Sequence, residues 1–317
     1  MLVNASTGST DATNGSIPRT AVLFLVFNRP DVTERVLAAI RAARPPRLYI
    51  AADGARADRP SEAIACDTVR RLIETGVDWP CTVKTLFRDQ NLGCRRAVST
   101  AIDWFFQHEE AGIILEDDCL PHPSFFSYCE ELLDHYRDDT RVMHINGSNI
   151  MRGWVKDPDY SYYFSRHSAI WGWASWRRAW QHYNVATPLL PEIHSKNYLW
   201  RHFFNPLEAR MLLRPLWATH TGKLDTWDYQ WSFALLIQSG LSIMPAVNLI
   251  SNIGFGEDAT HTVNTSHPLA NLPTEQIPLP LRHPSFVIRD TVSDYRELRS
   301  TLRNKILARL RSVTTLL

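Results

Sequence analysis

The chain has 317 residues, 44% of them apolar and 21% charged, which is enough to bury a full core and reads as an ordinary globular protein of one large or two small domains. Its 34 basic and 33 acidic side chains nearly cancel, so no global field recruits nucleic acid and any phosphate site must be local. The five cysteines, Cys66, Cys81, Cys94, Cys119 and Cys129, form no C-x-x-C pair, which argues against a disulfide framework or a zinc site and for a reducing, cytoplasmic location.

Residues 1–20 are rich in Ser, Thr, Asn, Gly and Asp, with neither a basic start nor an apolar stretch, and read as a disordered lead-in and not a signal peptide. Short β-branched and aromatic runs then alternate with amphipathic stretches, the pattern of βαβ units and a mostly parallel sheet. Strands are expected at Ala21–Phe27, Arg47–Ala51, Thr82–Phe87, Gly112–Leu115 and Val142–Ile145. Between them helices are expected from a capping box of Asp31 and Glu34, and over Glu62–Glu74, Arg95–Gln107 and Ser124–Arg137. This α/β half covers residues 21–150. Residues 151–265 are rich in Trp and Tyr, with a helix expected at Thr226–Gln238 and a strand at Leu241–Met244, and should pack on the sheet and shape an acceptor pocket. Residues 266–317 begin as a Pro-rich wrap. They end in a helix, Ser300–Leu317, that carries Arg303, Lys305, Arg309 and Arg311 without an acid. Its apolar residues recur at helical spacing, so it either docks on the domain or lies on an anionic membrane surface. The longest apolar run, Ala21–Phe27, is too short to cross a bilayer.

The sharpest local feature is Ile113-Ile114-Leu115-Glu116-Asp117-Asp118, an apolar strand that delivers three consecutive carboxylates at its C-terminal end, where open α/β sheets place ligands. Adjacent acids repel. A divalent cation, Mg2+ or Mn2+, is the usual physical reason to keep them together, since it takes one or two carboxylates and completes its shell with water and phosphate oxygens. The bland alternative is an acidic loop solvated at a strand end. Other acidic-strand chemistries fail on detail. Phe27-Asn28-Arg29-Pro30 stands where a dinucleotide fold wants Gly-x-Gly-x-x-Gly. The acids follow the fourth strand and not the first, unlike an aspartyl phosphatase, and the glycine-rich N-terminal loop of a sugar nucleotidyltransferase is absent.

In chain order, Val22 to Arg29, Ala51-Ala52-Asp53, Asn91-Leu92-Gly93, Leu115-Glu116-Asp117-Asp118, Gly172-Trp173, Thr226-Trp227-Asp228 and Phe255-Gly256 to His261 resemble inverting GT-A glycosyltransferases. The resemblance is nearest to the N-acetylglucosaminyltransferase I family and bacterial family-2 relatives. It implies an α/β fold of GT-A type, a nucleotide-diphospho-sugar transferase fold with a mixed, mostly parallel sheet flanked by helices. Carried across by position, it implies that Asp118 ligates the metal while Glu116 and Asp117 contact the donor's sugar and ribose. It further implies that Asp53 accepts a hydrogen bond from the ring N–H of uracil, a bond open also to thymine or guanine, and that Arg29 lies at the nucleotide. Gly254 to Thr262, with His261, resembles a loop that folds over the donor diphosphate, and Trp173 matches a Gly-Trp that reaches substrate. Beside this, Arg95 and Arg96 open a helix after the Asn91-Leu92-Gly93 turn, so their charge and the helix amides are expected to face an anion.

Inversion needs one in-line displacement, with a base that takes the acceptor hydroxyl proton while a metal takes up charge on the departing diphosphate. Asp228 aligns with the family's catalytic aspartate; Asp225 is the near rival, helix capping is the alternative role, and Tyr229 stands where the family has a second Asp. The expected partners are a nucleotide-diphosphate sugar, best matched by a UDP-sugar such as UDP-GlcNAc, and a glycan or lipid-linked acceptor. Two alternatives remain at this stage: a catalytically inactive carbohydrate-binding module and a retaining transferase.

Overall fold

The computed structural model of the protein describes residues 19–151, 154, 156–199, 202–203, 206–256 and 267–314. The chain opens with β1 (Ala21–Val26), α1 (Pro30–Ala43), β2 (Arg47–Ala52), α2 (Pro60–Gly76), β3 (Thr82–Phe87), α3 (Gly93–His108) and β4 (Ala111–Glu116). The acidic triplet is followed by a short β5 (Cys119–Pro121), then α4 (Ser124–His135) and β6 (Val142–Asn146). Next come β7 (Tyr162–Ser165), β8 (Trp173–Trp176), α5 (Arg177–Trp180), α6 (Leu190–Ser195), α7 (Pro206–His220) and α8 (Asp228–Ile237). The remainder forms β9 (Leu241–Pro245), β10 (Ile250–Asn252) and α9 (Thr291–Thr314).

Among the described residues, eight strands make one sheet in the order β3-β2-β1-β4-β8-β6-β9-β7, while β5 and β10 form a separate antiparallel pair. The first four strands are mutually parallel; β8 runs antiparallel between β4 and β6, and β7 antiparallel at the far edge. The expected α/β class, with a mostly parallel sheet flanked by helices, therefore holds. The sheet runs without a break across residue 150, because β8 pairs with β4. Chain order reverses between β1 and β4: from β1 the chain moves outward to β2, while β4 lies on the other side. A crevice opens at such a switch point, beyond the carboxyl ends of the strands.

Both faces of the sheet are covered. Val22, Phe24 and Val26 of β1 pack with Val36 and Ile40 of α1 and Val69 of α2, while Leu23 and Leu25 pack with Ile102 and Phe105 of α3 and Trp231 of α8. Burial on both sides explains why β1 reads as a continuous apolar run and not an alternating one.

The expected capping box at Asp31 and Glu34 does not open α1. The helix starts at Pro30, with Arg29 in the cap position and no side-chain cap bond, as suits a ring that fixes φ and lacks an N–H. The C-terminal helix is longer than expected, beginning at Thr291 instead of Ser300. Within the lead-in, residues 1–18 lie outside the described residues. No helix among the described residues is long and apolar enough to cross a membrane.

Candidate functional site

At the switch point lies a cavity of about 210 Å3 lined by the segments that follow β1, β2, β3 and β4, together with Asp225. It adjoins a larger groove of about 970 Å3 through the shared residues Asn28, Arg29 and Arg56, with Gly254 and Phe255 on its far wall. Each strand thus ends in a polar or charged group at the mouth: Arg29 after β1, Asp53 after β2, Arg88 after β3, and Glu116 to Asp118 at and after β4.

The acids of the β4 end are paired with a guanidinium. Arg29 Nη2 forms a salt bridge to Asp117 Oδ1 and another to Asp118 Oδ2 at 3.0 Å. Burial alone would lower the Arg29 pKa, but the two carboxylates outweigh it and hold the net shift upward. Burial pushes Asp117 up to about 6 against the pull of Arg29. Glu116 is raised well above its ordinary value, first by burial and then by the neighbouring charges of Asp118 and Asp117. Glu116 Oε1 and Asp117 Oδ2 are shielded from solvent and have no hydrogen-bond partner. Gly254 closes over the Arg29–Asp118 pair; a Cβ there would come within 2.5 Å of Asp118 Cβ and 2.6 Å of Arg29 Nη1.

The opposite wall is the first turn of α3, whose amides have no partners within the helix. Asp53 accepts from the Leu92 amide at 3.0 Å and the Gly93 amide at 3.2 Å, and Asp225 accepts from the Cys94 amide at 2.9 Å and the Arg95 amide at 3.1 Å. Four consecutive amides are thus held by two carboxylates from different parts of the chain. Gly93 has φ +77°, and a Cβ would lie 2.5 Å from Asp225 Oδ2, so the close approach needs glycine. Asp53 is raised by burial, which the backbone amides only partly offset. The expectation that these amides face a bound anion is corrected: the protein's own carboxylates already occupy them.

Of the residues singled out by sequence, Arg29, Asp53, Glu116 and Asp117 line the cavity. Asp118 joins them through Arg29. Asp228 is the first residue of α8; its charge adds the smallest contribution to the upward shift of Glu116, and it is not among the residues that line the cavity. It accepts a hydrogen bond from Thr226 Oγ1, and the residue in the cap position of α8 is Trp227. Asp225 is the one doing capping work, on α3.

Two further residues are not brought to the cavity. Arg95 points away, donating from Nη2 to the Val185 carbonyl at 2.6 Å. Trp173 is a correction: it is fully buried in a stack with Trp227 at 5.8 Å and His144 at 5.0 Å, so no face is open to a sugar ring. β8 carries Trp173 between β4 and β6 in mid-sheet, which forces its side chain into the layer under α8. The half-buried indole beside the groove is Trp171, edge-on to Phe255 at 5.8 Å. His261 lies outside the described residues. Sequence reasoning missed Arg56 and Arg88, which both line the cavity. The signal for Arg88 was available, since it follows the last residue of a parallel strand just as Asp53 does.

A divalent cation fits this donor set in part. Asp117 and Asp118 offer hard oxygen ligands, and Asp117 Oδ2 is an orphaned buried acceptor. Among the described residues no group of three or more His, Cys, Asp or Glu could hold a metal. The remaining ligands would have to be water and substrate oxygens, as is usual for Mg2+.

No protein-family model matches the sequence, and neither does any curated protein. Among solved structures, the mannosyltransferase PcManGT from Pyrobaculum calidifontis, in complex with GDP-Man and Mn2+, is similar over 51% of this chain and 45% of its own, at 16% identity and TM-score 0.33. HddC from Yersinia pseudotuberculosis is similar over 50% of this chain and 77% of its own, at 10% identity and TM-score 0.31. Apo UDP-glucose pyrophosphorylase covers 74% of this chain and 93% of its own, at 10% identity and TM-score 0.35. Likeness at this level assigns no residue roles.

Proposed function

We propose that this protein is a glycosyltransferase of GT-A type that moves a sugar from a nucleoside-diphosphate donor to an acceptor hydroxyl with inversion. The observation that carries the reading is the convergence, in a cavity at the switch point, of Arg29, Asp53, Glu116 and Asp117 from the ends of three parallel strands. Guanidinium groups suit oxygen-rich phosphates, and Arg29, Arg56 and Arg88 supply three of them around one cavity. Asp53, partly shielded and already fixed by two amides, retains lone pairs for the ring N–H of a uracil, which favours a UDP-sugar. UDP-GlcNAc is the donor nearest the family resemblance, and a glycan or a lipid-linked sugar is the acceptor. Mn2+ or Mg2+ at Asp118 and Asp117 would supply Lewis acidity toward the departing diphosphate.

Asp228 is the base in this reading. Its place at the start of α8, within electrostatic reach of Glu116, suits removal of the acceptor hydroxyl proton while Arg29 steadies the donor's charge. Asp225 suits the role less, because its two oxygens already accept from Cys94 and Arg95 amides.

The test is Asp228→Asn, with nucleotide release measured against UDP-, GDP- and dTDP-sugars in the presence of Mn2+ and product stereochemistry read by NMR. An amide cannot take the proton, so kcat should fall by about a hundred- to ten-thousandfold with donor affinity nearly unchanged. Near-normal turnover in Asp228→Asn, or a product with retained configuration, defeats the inverting mechanism.

A further inference from the structure

The edge of the sheet farthest from β3 is β7, and the last stretch of chain is laid along it: Arg289 bridges to Phe164 of β7, and α9 follows directly. The helix is sharply two-sided. Ser293, Asp294, Leu298 and Asn304 are buried, whereas Val292, Tyr295, Arg296, Arg299 and Arg303 are exposed. These exposed positions recur at three- and four-residue spacing and so share one face.

The distribution of charge on α9 is lopsided in the same sense. Asp294 is fully buried, accepting from Ser165 Oγ at 2.6 Å and Arg289 Nε at 2.5 Å. Glu297 turns its carboxylate inward, where Oε2 is shielded from solvent. Between residues 291 and 304 the exposed face therefore carries three arginines and no acid. Arg296 lies over the Trp154 ring at 4.9 Å. The helix continues to Thr314 with Lys305, Arg309 and Arg311 in its sequence. Large apolar side chains stand exposed on this face and on the strap that leads into it: Ile288 at 66%, Val292 at 51%, Phe286 at 46% and Tyr295 at 45%.

A single-sign cationic row mixed with apolar and tyrosyl side chains matches the two layers of an anionic lipid surface, charged headgroups above and acyl chains below. The chain as a whole is nearly neutral, with 34 basic and 33 acidic side chains, so this row is a local feature and not a reflection of net charge. We infer that the strap from Phe286 and the exposed face of α9 form a docking surface for an anionic lipid bilayer. The surface lies along the β7 edge, while the cavity lies at the ends of β1 to β4. Docking therefore leaves the cavity open. This inference does not depend on the transferase reading and survives its failure.

The test is sedimentation of the full chain with vesicles of phosphatidylcholine and phosphatidylglycerol, against phosphatidylcholine alone. The wild type should bind the anionic vesicles, and added salt should weaken the binding as it screens surface charge. Replacing Arg296, Arg299 and Arg303 together by Gln should weaken binding on the order of a hundredfold, at roughly fivefold for each cation near an anionic surface. Should that triple variant lose its fold by circular dichroism, Ile288→Ser decides instead, since a side chain so exposed can change without disturbing the core; it should weaken vesicle binding several-fold. Equal binding to both vesicle types, or a triple variant or Ile288→Ser that binds like the wild type, overturns the inference. So does a wild type that is dimeric in solution and ignores vesicles, because the face would then belong to a second copy of the chain.

Discussion

The two walls of the cavity carry carboxylates in opposite circumstances. On one side Asp53 and Asp225 hold four backbone amides of the α3 turn; on the other, Asp117 and Asp118 hold one side chain, Arg29. Backbone amides at a helix start cannot leave without unwinding the turn, whereas a guanidinium on a flexible stem can move. One wall is thus structural and the other exchangeable, although both look like acidic motifs in sequence. Burial raises Asp53 as well as Glu116 and Asp117, but Glu116 Oε1 and Asp117 Oδ2 are shielded without a hydrogen-bond partner and so gain most from any cation that arrives.

The largest effect should come from the exchangeable wall. Asp118→Ala should lower divalent-dependent turnover by about a thousandfold or more, because charge stabilisation at a departing diphosphate is typically worth several kcal/mol. Full activity of the wild type in excess EDTA would remove the metal from the scheme.

The next effect falls on the stability of the fold and on neither wall. Trp231 of α8 donates to His144 Nδ1 at 3.1 Å, and His144 Nε2 is held by Asn146 Oδ1 and the Ala169 carbonyl, both at 3.0 Å. Burial pushes the fully enclosed His144 down from 6.5 to about 4. The unfolded chain then binds this proton more readily than the folded one, so stability is whole above about pH 6.5 and falls as pH drops toward 4. The loss reaches about 3 kcal/mol when fully expressed. Urea melts at pH 7 and pH 4.5 on the wild type and His144→Gln should show a flatter pH dependence in the variant; parallel curves would clear His144 of the effect.

Much of this was legible in the sequence, and what was not has a physical reason. Apart from the three-residue β5, the strands and helices up to residue 146 follow from periodicity, because a parallel sheet writes buried runs and its helices write amphipathic ones. β7, β8, β5, β10, α5, α6 and α7 were not foreseen. The first two are four residues each, too short to show a period. The acids after β4 and Asp53 after β2 could be found because a strand end fixes where a side chain emerges. What sequence could not show was which partner each acid holds: the link from Asp225 to Cys94 and Arg95 spans 131 and 130 residues, and the Arg29 pairs span 88 and 89. Trp173 was misjudged for a related reason, since a Gly-Trp motif gives the residue and not the side of the sheet it faces.

A smaller effect probes whether Arg29 is truly exchangeable. Arg29→Met keeps the length of the stem and removes the charge, so Asp117 and Asp118 lose their resident cation. The donor-free variant should bind Mn2+ about tenfold more tightly in calorimetry, since a like charge no longer opposes the ion. Unchanged or weaker Mn2+ affinity would mean that Arg29 and a metal do not compete for these oxygens.

The smallest effect separates the two neighbouring aspartates. Asp225 acts as a remote cap: its Oδ2 takes the Cys94 amide and its Oδ1 the Arg95 amide, and loss of such a cap typically costs about 1 kcal/mol. Asp225→Ala should therefore lower Tm by about 2 °C in a chain of this size and reduce turnover only modestly, by loosening the turn that also carries the Asp53 contacts. Gly93→Ala should reproduce and exceed this, because its added Cβ would press on Asp225 Oδ2 while its φ of +77° disfavours any side chain. A base would behave otherwise: turnover would fall at least a hundredfold with Tm unmoved. If Asp225→Ala shows that second pattern and Asp228→Asn does not, Asp225 belongs to the chemistry and the structural wall is also the catalytic one.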